Sequence, residues 1–199
     1  MRVVLGSSVA AAGAVVARQG RLSALETDGF RLVNNLPGEL EGPLRVAMQG
    51  GALAAVGVAA GAALAARRPT LARNIAIAGT GAWVAGKVAK KLVNRDRPGG
   101  FFPDVVFRGP MESGLGYPSG HAAVAAAIVT AAAPYLGRTG RRLAWGGVAV
   151  VGTARMYVGV HLPVDVVGGA ALGLSLGGLV HLIFGAPSGP LARRSVATA

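Results

Sequence analysis

The sequence contains no cysteine and has few charged residues. None of its 199 residues is a cysteine, which excludes disulfide bonds and thiolate metal sites. Charged residues make up 14% of the chain, whereas soluble domains carry about a quarter. Alternating Glu and Lys on the outer faces of helices, as in a soluble bundle, are also missing. With 52% hydrophobic residues and a mean hydropathy of +0.53, the chain is predicted to be an integral membrane protein.

Acidic residues are scarce as well. Eight acids stand against 20 basic residues, and 17 of the basic residues are arginine, which gives a net charge of +12. The basic residues fall between apolar runs rather than along one face with interleaved aromatics, and this pattern argues against nucleic acid as a partner. Membrane lipids with anionic head groups and phosphate-bearing substrates are therefore the predicted partners.

Long apolar stretches dominate the rest of the chain. Five are close to the roughly 20 residues that cross a bilayer, namely 46–66, 71–93, 119–137, 143–160 and 164–186. A shorter stretch at 3–17 is interpreted as a further helix, with an interfacial segment or a signal peptide as alternatives. Because spanning segments must satisfy their own backbone hydrogen bonds, we predict an all-α integral membrane bundle of about six transmembrane helices, forming one domain over 1–199.

The loops between these stretches predict an orientation. The arginine-rich turns near 67–73 and 138–142 and the tail at 187–199 contain no acid, and they are assigned to the cytoplasmic side. The opposite loops hold all eight acids and are assigned to the periplasmic or extracellular side of the plasma membrane. The segment 18–43 lies on that outer side, either as an amphipathic collar at the interface or as a plain connector.

Three polar clusters stand at helix ends on this outer side, and the first is KKLVNRDRP. Lys90 and Arg97 are seven residues apart, two turns of one helix, so they are predicted to share a face until Pro98 ends the helix. Basic residues at a membrane helix end are usually anchors at the interface. Lys87 and Lys91 are interpreted in that way.

The second cluster is YPSGH, residues 117–121, at the start of an uncharged stretch. Ser119 and Gly120 place a hydroxyl and accessible amides at a helix N-terminus, which is a natural cradle for phosphate oxygens. His121 follows in the first turn. An ordinary serine N-cap followed by an interfacial histidine explains these residues equally well.

The third cluster is ARMYVGVHLPVD, residues 154–165. His161 and Asp165 are four residues apart, the spacing that lets a carboxylate on the same helix face hold an imidazole N–H, and Arg155 precedes them. A buried structural pair is the alternative, but ionisable groups in membrane segments are costly and are by default functional. His181 has no acid or base near it in sequence and is interpreted as structural.

The three clusters together predict a site for a phosphoryl group. Cations predominate in them, whereas a metal site needs more acidic or histidine ligands. A Ser-His-Asp hydrolase built on Ser119 is an alternative. However, Lys and Arg clamps are superfluous for an ester carbonyl and suit the charged oxygens of a phosphoryl group.

These clusters resemble the three signature motifs of the type 2 phosphatidic acid phosphatase (PAP2) superfamily. That superfamily includes lipid phosphate phosphatases and bacterial undecaprenyl-diphosphate phosphatases and is related to the vanadium haloperoxidases, which are soluble, unlike this chain. The order and spacing of the motifs agree over residues 40–186. One position departs from the pattern, because Ala154 stands where the third motif usually has serine, and no role is assigned to it.

The resemblance implies a membrane lipid phosphatase of cell-envelope lipid metabolism that needs no metal and no cofactor. His161 would be the nucleophile that forms a phosphohistidine, Asp165 would orient it, and His121 would protonate the leaving group and then activate water. The phosphate oxygens would be bound by Lys90, Arg97, Ser119, Gly120 and Arg155.

Several lipid phosphates fit that implied activity. They are polyprenyl phosphates or diphosphates, polyprenyl-phosphoryl sugar phosphates such as decaprenylphosphoryl-5-phosphoribose, phosphatidate and phosphatidylglycerophosphate. The alternative is a non-enzymatic carrier of lipid phosphates or anions that uses the same basic site. Such a carrier would bind a lipid phosphate without turning it over.

Overall fold

The computed structural model describes residues 1–109 and 114–186, and helices are its only regular elements within those ranges. Its α-helices are α1 (Arg2–Arg18), α2 (Ala24–Asn34), α3 (Glu41–Met48), α4 (Leu53–Ala65), α5 (Pro69–Val93), α6 (Gly120–Ala132), α7 (Arg138–Tyr157) and α8 (Pro163–Phe184). The predicted all-α fold is confirmed. The predicted cytoplasmic tail at 187–199 lies outside the described residues.

Helices α6 and α8 form the centre of the bundle. One run of α6, Ala122–Ala127, is at most 5% exposed, and α8 presents Gly169, Gly173 and Gly177 to it at a spacing of four residues, hence on one face. A Cβ atom on Gly173 would lie 2.1 Å from the carbonyl oxygen of Ala123. The two backbones therefore approach too closely for any side chain, as they do in membrane bundles rich in small residues.

Helix α1 packs against the other side of α8. A Cβ atom on Gly6 would lie 2.6 Å from the carbonyl oxygen of Ala171, and the hydroxyls of Ser7 and Ser175 are 2.7 Å apart. The stretch at 3–17 is thus a complete helix of the bundle, as predicted. Helices α4 and α5 close the bundle around a core of small and aliphatic side chains that they share with α6.

The stretch 46–66, predicted to be one helix, is divided in the structure. Helix α3 ends at Met48, α4 begins at Leu53, and the two arms meet at an angle of 67°. A Cβ atom on Gly51 at the bend would lie 2.3 Å from the carbonyl oxygen of His121. The prediction of a continuous helix here was wrong, because the chain bends to pack the start of α4 against the start of α6.

Two helical units of the described chain have the length and hydropathy to cross a membrane. One is α8, whose 22 residues span about 33 Å at 1.5 Å per residue, close to the roughly 30 Å of a hydrocarbon core. The other is the bent pair Gly38–Gly51 and Leu53–Ala65, counted as one span. The predicted count of about six transmembrane helices is therefore not confirmed by this criterion.

The segment 18–43 folds as α2 and the turn before α3, over the end of the bundle where α7 ends. The side chain of Asn34 fastens it there: its Nδ2 donates to the carbonyl oxygens of Val106 and Tyr157 at 3.0 and 3.1 Å, and its Oδ1 accepts from the Val106 amide at 2.9 Å. Phe30, 1% exposed, stacks on the ring of Phe102 with the ring centres 5.4 Å apart. The location of this segment at a membrane interface remains a prediction.

Candidate active site

One cavity of about 260 Å³ lies where α5 and α7 end and α6 and α8 begin. Six of the eight site residues predicted from the sequence line it, and they are Lys90, Arg97, Gly120, His121, Arg155 and His161. The remainder of its wall consists of Gly51, Ala52, Leu53, Trp83, Gly86 and Lys87. The fold thus brings three distant stretches of sequence to one place.

Helix α5 ends earlier than the sequence predicts. Its last residue is Val93, and Asn94 follows in the left-handed conformation with φ 54° and ψ 46°, which asparagine tolerates better than most residues. Arg97 consequently lies in the loop beyond the helix. The prediction that Lys90 and Arg97 share one helix face was wrong, although both side chains reach the cavity.

Backbone carbonyls hold these two cations in place. Lys90 Nζ donates to the carbonyl oxygens of Leu115 and Gly116, the latter at 2.9 Å. Arg97 Nη1 donates to the carbonyl oxygen of Val160 at 2.9 Å. Both side chains are half-buried, so they are ordered by the protein while they still line the cavity.

Ser119 is the N-cap of α6 and does not line the cavity. Its hydroxyl accepts from the Ala122 amide at 3.5 Å, and its own amide donates to the carbonyl oxygen of Asp165 at 2.8 Å. Its role in phosphate binding therefore remains a prediction. The next two residues do reach the cavity: a Cβ atom on Gly120 would meet nothing within 4 Å, and His121 is half-buried.

His161 and Asp165 form a buried pair on either side of a helix start. Helix α8 begins at Pro163, so the two residues do not share a helix face as predicted. His161 Nδ1 nevertheless lies 3.5 Å from Asp165 Oδ2, and that oxygen accepts from the Leu162 amide at 2.9 Å. A contact of 3.5 Å is within ion-pair range but longer than a good hydrogen bond.

The environment of His161 keeps its ring neutral. The side chain is 2% exposed, and burial lowers its pKa to about 4, with further lowering by the charges of Lys90 and Arg155 against the opposing effect of Asp165. A neutral imidazole has a free lone pair on one nitrogen. His161 is therefore in the form that a nucleophile requires at neutral pH.

Arg95 and Glu26 lie behind this pair, and the sequence pattern did not single them out. Arg95 Nη1 donates to Asp165 Oδ1 at 3.0 Å, and Arg95 Nη2 donates to Glu26 Oε2 at 2.9 Å. Both residues are 3% exposed, and Glu26 Oε1 also accepts from the Val164 amide at 3.3 Å. No local pattern indicates this network, because Arg95 is 69 residues from Glu26 and 70 residues from Asp165 in the chain.

The cavity is also lined by Lys87, which the sequence pattern indicates as an anchor at the interface. Its Nζ lies 3.7 Å from the centre of the Trp83 ring. Arg155, another lining residue, stands in the last turn of α7 and is 2% exposed. His181 does not line the cavity: it lies roughly 27 Å along α8 from Pro163, with its Nε2 3.3 Å from the carbonyl oxygen of Ala131.

The cavity is suited to a multiply charged oxyanion. Four of its described lining residues are cationic and none of them is acidic, while the first turn of α6 adds backbone N–H groups at the positive end of its dipole. Over the described ranges, no group of three or more His, Asp or Glu side chains is arranged to hold a metal ion. Arginine and lysine side chains supply positive charge around His161.

This combination defines a helical protein with a cationic pocket built around a buried histidine. The PAP2 superfamily profile matches residues 70–187, more than half of the chain. The protein belongs to the PAP2 superfamily.

One curated relative is decaprenylphosphoryl-5-phosphoribose phosphatase from Mycobacterium tuberculosis. It is 38% identical over 121 residues, which cover 59% of this chain and 65% of the relative. The chain therefore matches just under two thirds of that protein's length, and the matched part includes residues of the superfamily domain.

Two solved structures share the fold. LpxE from Aquifex aeolicus superposes with a TM-score of 0.72 at 24% identity, over 79% of this chain and 95% of that chain. A transmembrane PAP2-type phosphatidylglycerolphosphate phosphatase from Bacillus subtilis superposes with a TM-score of 0.71 at 22% identity, over 90% and 95%. At these identities the similarity establishes the architecture.

Proposed function

We propose that the protein is an integral membrane phosphatase that hydrolyses the phosphomonoester or diphosphate of a lipid through a phosphohistidine intermediate. The observation that carries this proposal is the shared cavity, in which a buried neutral His161 faces the cations Lys90, Arg97 and Arg155. Superfamily membership and the name of the mycobacterial relative support the same activity.

The reaction follows from this arrangement in two steps. The terminal phosphoryl group binds with its oxygens on Lys90, Arg97, Arg155 and the N–H groups at the start of α6. His161 attacks phosphorus, the bond from phosphorus to the leaving oxygen breaks, and His121 gives that oxygen its proton. Water then gives a proton to His121 and attacks phosphorus, which breaks the P–N bond and releases inorganic phosphate.

Asp165 supports both steps without touching the phosphate. In the reaction its Oδ2, 3.5 Å from His161 Nδ1, accepts a hydrogen bond from the Nδ1–H as that contact shortens, so the other ring nitrogen faces the cavity with its lone pair. The carboxylate also offsets the positive charge of the phosphorylated ring. Arg95 holds the second carboxylate oxygen of Asp165 at 3.0 Å, which keeps the carboxylate aimed at His161. Glu26 in turn holds Arg95.

The membrane arrangement is part of the proposal. We assign six spans to α1, the α3–α4 pair, α5, α6, α7 and α8, with the cavity on the periplasmic or extracellular face of the plasma membrane. Exposed aliphatic side chains on the bundle surface, such as Val58 and Leu182 at 73% and 75%, support contact with lipid. The arginines of the turns at 67–73 and 138–142 lie at the opposite end of the helices from the cavity, on the side that the sequence pattern assigns to the cytoplasm.

Purified protein in detergent with EDTA is expected to release inorganic phosphate from at least one member of a four-lipid panel. The panel contains a polyprenyl diphosphate, a decaprenylphosphoryl sugar phosphate, phosphatidylglycerophosphate and phosphatidate. Because the cavity supplies its own positive charge, EDTA should change the rate by no more than about twofold. Removal of a metal Lewis acid would instead raise the activation barrier by several kcal/mol. The sugar phosphate is the first to test, given the relative's name.

The same assay separates the proposal from its rival. Tight binding of these lipids with no phosphate release from any of them would contradict the proposed phosphatase activity. It would support the alternative, a non-enzymatic carrier of lipid phosphates. Activity that EDTA abolishes and a divalent metal restores would contradict the metal-independent reaction.

A further inference from the structure

Two side chains of α5 line the cavity but have no part in the reaction described above. Lys87 lies three residues before Lys90, and Trp83 lies four residues before Lys87, so all three share one face of the helix. Lys87 Nζ sits 3.7 Å from the centre of the Trp83 ring, a distance at which an indole attracts an ammonium group. The ring thereby holds the lysine against the cavity wall.

These two residues lie on the inner side of the phosphate site. Helix α5 reaches the cavity at its C-terminal end, so Lys87 and Trp83 stand about 4.5 Å and 10.5 Å from Lys90 along the axis, toward the middle of the bundle. Ala52 and Leu53 at the start of α4 line the facing wall. We call the space bounded by Ala52, Leu53, Trp83, Gly86 and Lys87 the inner slot.

The inner slot is open where a substrate has to pass. A Cβ atom on Gly86 would touch only the Gly120 Cα, at 4.0 Å, and Leu53 is 40% exposed. In the proposed membrane, the hydrocarbon chain of a lipid lies beside the middle of the bundle while its terminal phosphate sits on His161. A lipid that extends from the phosphate site along α5 toward the middle of the bundle crosses the inner slot.

Charge identifies what the slot can bind. A phosphate monoester carries a charge of roughly −2 at neutral pH, and Lys90, Arg97 and Arg155 already bring three positive charges to it. Lys87 adds a fourth cation to the same cavity, as an exposed side chain one turn nearer to the middle of the bundle than Lys90, and none of the described residues that line the cavity is acidic. A lysine placed between the reacting phosphate and the hydrocarbon chain suits a second anionic group at that point in the substrate.

We propose that the inner slot binds a second phosphate of the substrate, the one nearer to the hydrocarbon chain. The substrate class is then lipids with two phosphate groups, either a diphosphate or a phosphodiester-linked sugar or glycerol phosphate, in preference to lipids with a single phosphate. Lys87 pairs with the inner phosphate, and Trp83 packs against the apolar part of the lipid next to it. This inference rests on the proposed phosphatase activity and narrows its substrate.

The test compares the preference for a lipid with two phosphates over a lipid with one. The kcat/KM values for polyprenyl diphosphate and phosphatidylglycerophosphate are each divided by the value for phosphatidate. Lys87→Gln should lower both ratios roughly tenfold or more, mainly through KM, because a charge-assisted contact is lost. Lys87→Arg should retain most of the preference. The control is Lys91→Gln, which should leave the preference unchanged because Lys91 is an exposed residue of the same helix that does not line the cavity.

Two kinds of result would overturn the inference in different ways. Unchanged ratios in Lys87→Gln, or an equal loss on all three lipids, would show that Lys87 anchors the helix or assists every substrate alike, while the phosphatase proposal stands. Absence of turnover with every lipid in the unmodified protein would overturn both proposals together.

Discussion

His161→Ala is expected to abolish phosphate release, with a loss in kcat of about 10⁴-fold or more. The substitution removes the nitrogen that accepts the phosphoryl group in the proposed reaction, and loss of a nucleophile from a comparable catalytic unit has effects of this size. The remaining cations should still bind the lipid, so the loss falls on kcat rather than on KM. Single-turnover phosphate release with the preferred lipid of the panel measures it.

A second histidine provides the matched control. His181→Ala changes a residue of α8 that does not line the cavity, and it should keep the rate within about twofold. Because His161 is buried, the thermal unfolding and the monodispersity of His161→Ala must be compared with the unmodified protein, and His161→Asn offers a smaller change in polarity. Phosphate release by folded His161→Ala within tenfold of the unmodified rate would contradict the assignment of the nucleophile.

Arg95→Ala is expected to destabilise the protein by about 3–5 kcal/mol and to lower kcat as well. The guanidinium joins Glu26 and Asp165, and all three side chains are at most 3% exposed. Its removal leaves two buried carboxylates without their cation, and breaking a buried ion pair in this way typically has a cost of that size. The unfolding free energy in detergent and the single-turnover rate are the two quantities to measure.

A surface ion pair supplies the comparison for Arg95. Arg31 and Asp104 are 3.3 Å apart with side chains 51% and 64% exposed, and Arg31→Ala should change stability by less than about 1 kcal/mol. Arg95→Lys should lose less stability than Arg95→Ala, because the lysine restores the positive charge. A single ammonium group does not reproduce the planar guanidinium that donates to both carboxylates. Equal effects of Arg95→Ala and Arg31→Ala would show that the buried network does not support the fold.

The cavity could largely be predicted from the sequence because its residues stand at interruptions of apolar stretches. Charged and polar groups are excluded from such stretches unless they have a function, which singles out Lys90, Arg155 and His161. The start of α6 is marked in the same way by Gly120 and His121. Convergence of three such interruptions at one end of the bundle requires only that α5 ends and α6 begins at that end, and that α6 and α7 then each cross the bundle once.

The errors concern local geometry that depends on tertiary contacts. The early end of α5 follows from a left-handed Asn94 that turns Arg95 inward to two carboxylates, one of them 69 residues away. The bend at Gly51 follows from close packing against α6. Neither long-range contact leaves a periodic pattern in the sequence.

Lys87 shows why the sequence pattern alone could not distinguish a lysine that anchors a helix at the interface from a lysine that lines the cavity. An anchoring lysine and a cavity lysine have the same spacing on an amphipathic helix end. The difference comes from the bend before α4, which brings Ala52 and Leu53 opposite Lys87 and encloses a space there. Only the packed structure shows that space.

The most direct test of the account is to identify the residue that carries the phosphoryl group during turnover. The protein would be mixed with its preferred lipid substrate, quenched in alkali within a single turnover, digested and analysed by mass spectrometry. We predict an alkali-stable, acid-labile phosphoryl group on the peptide that contains His161 and on no other peptide. Full turnover with no phosphorylated His161, or with the phosphoryl group on His121 or Ser119, would contradict it.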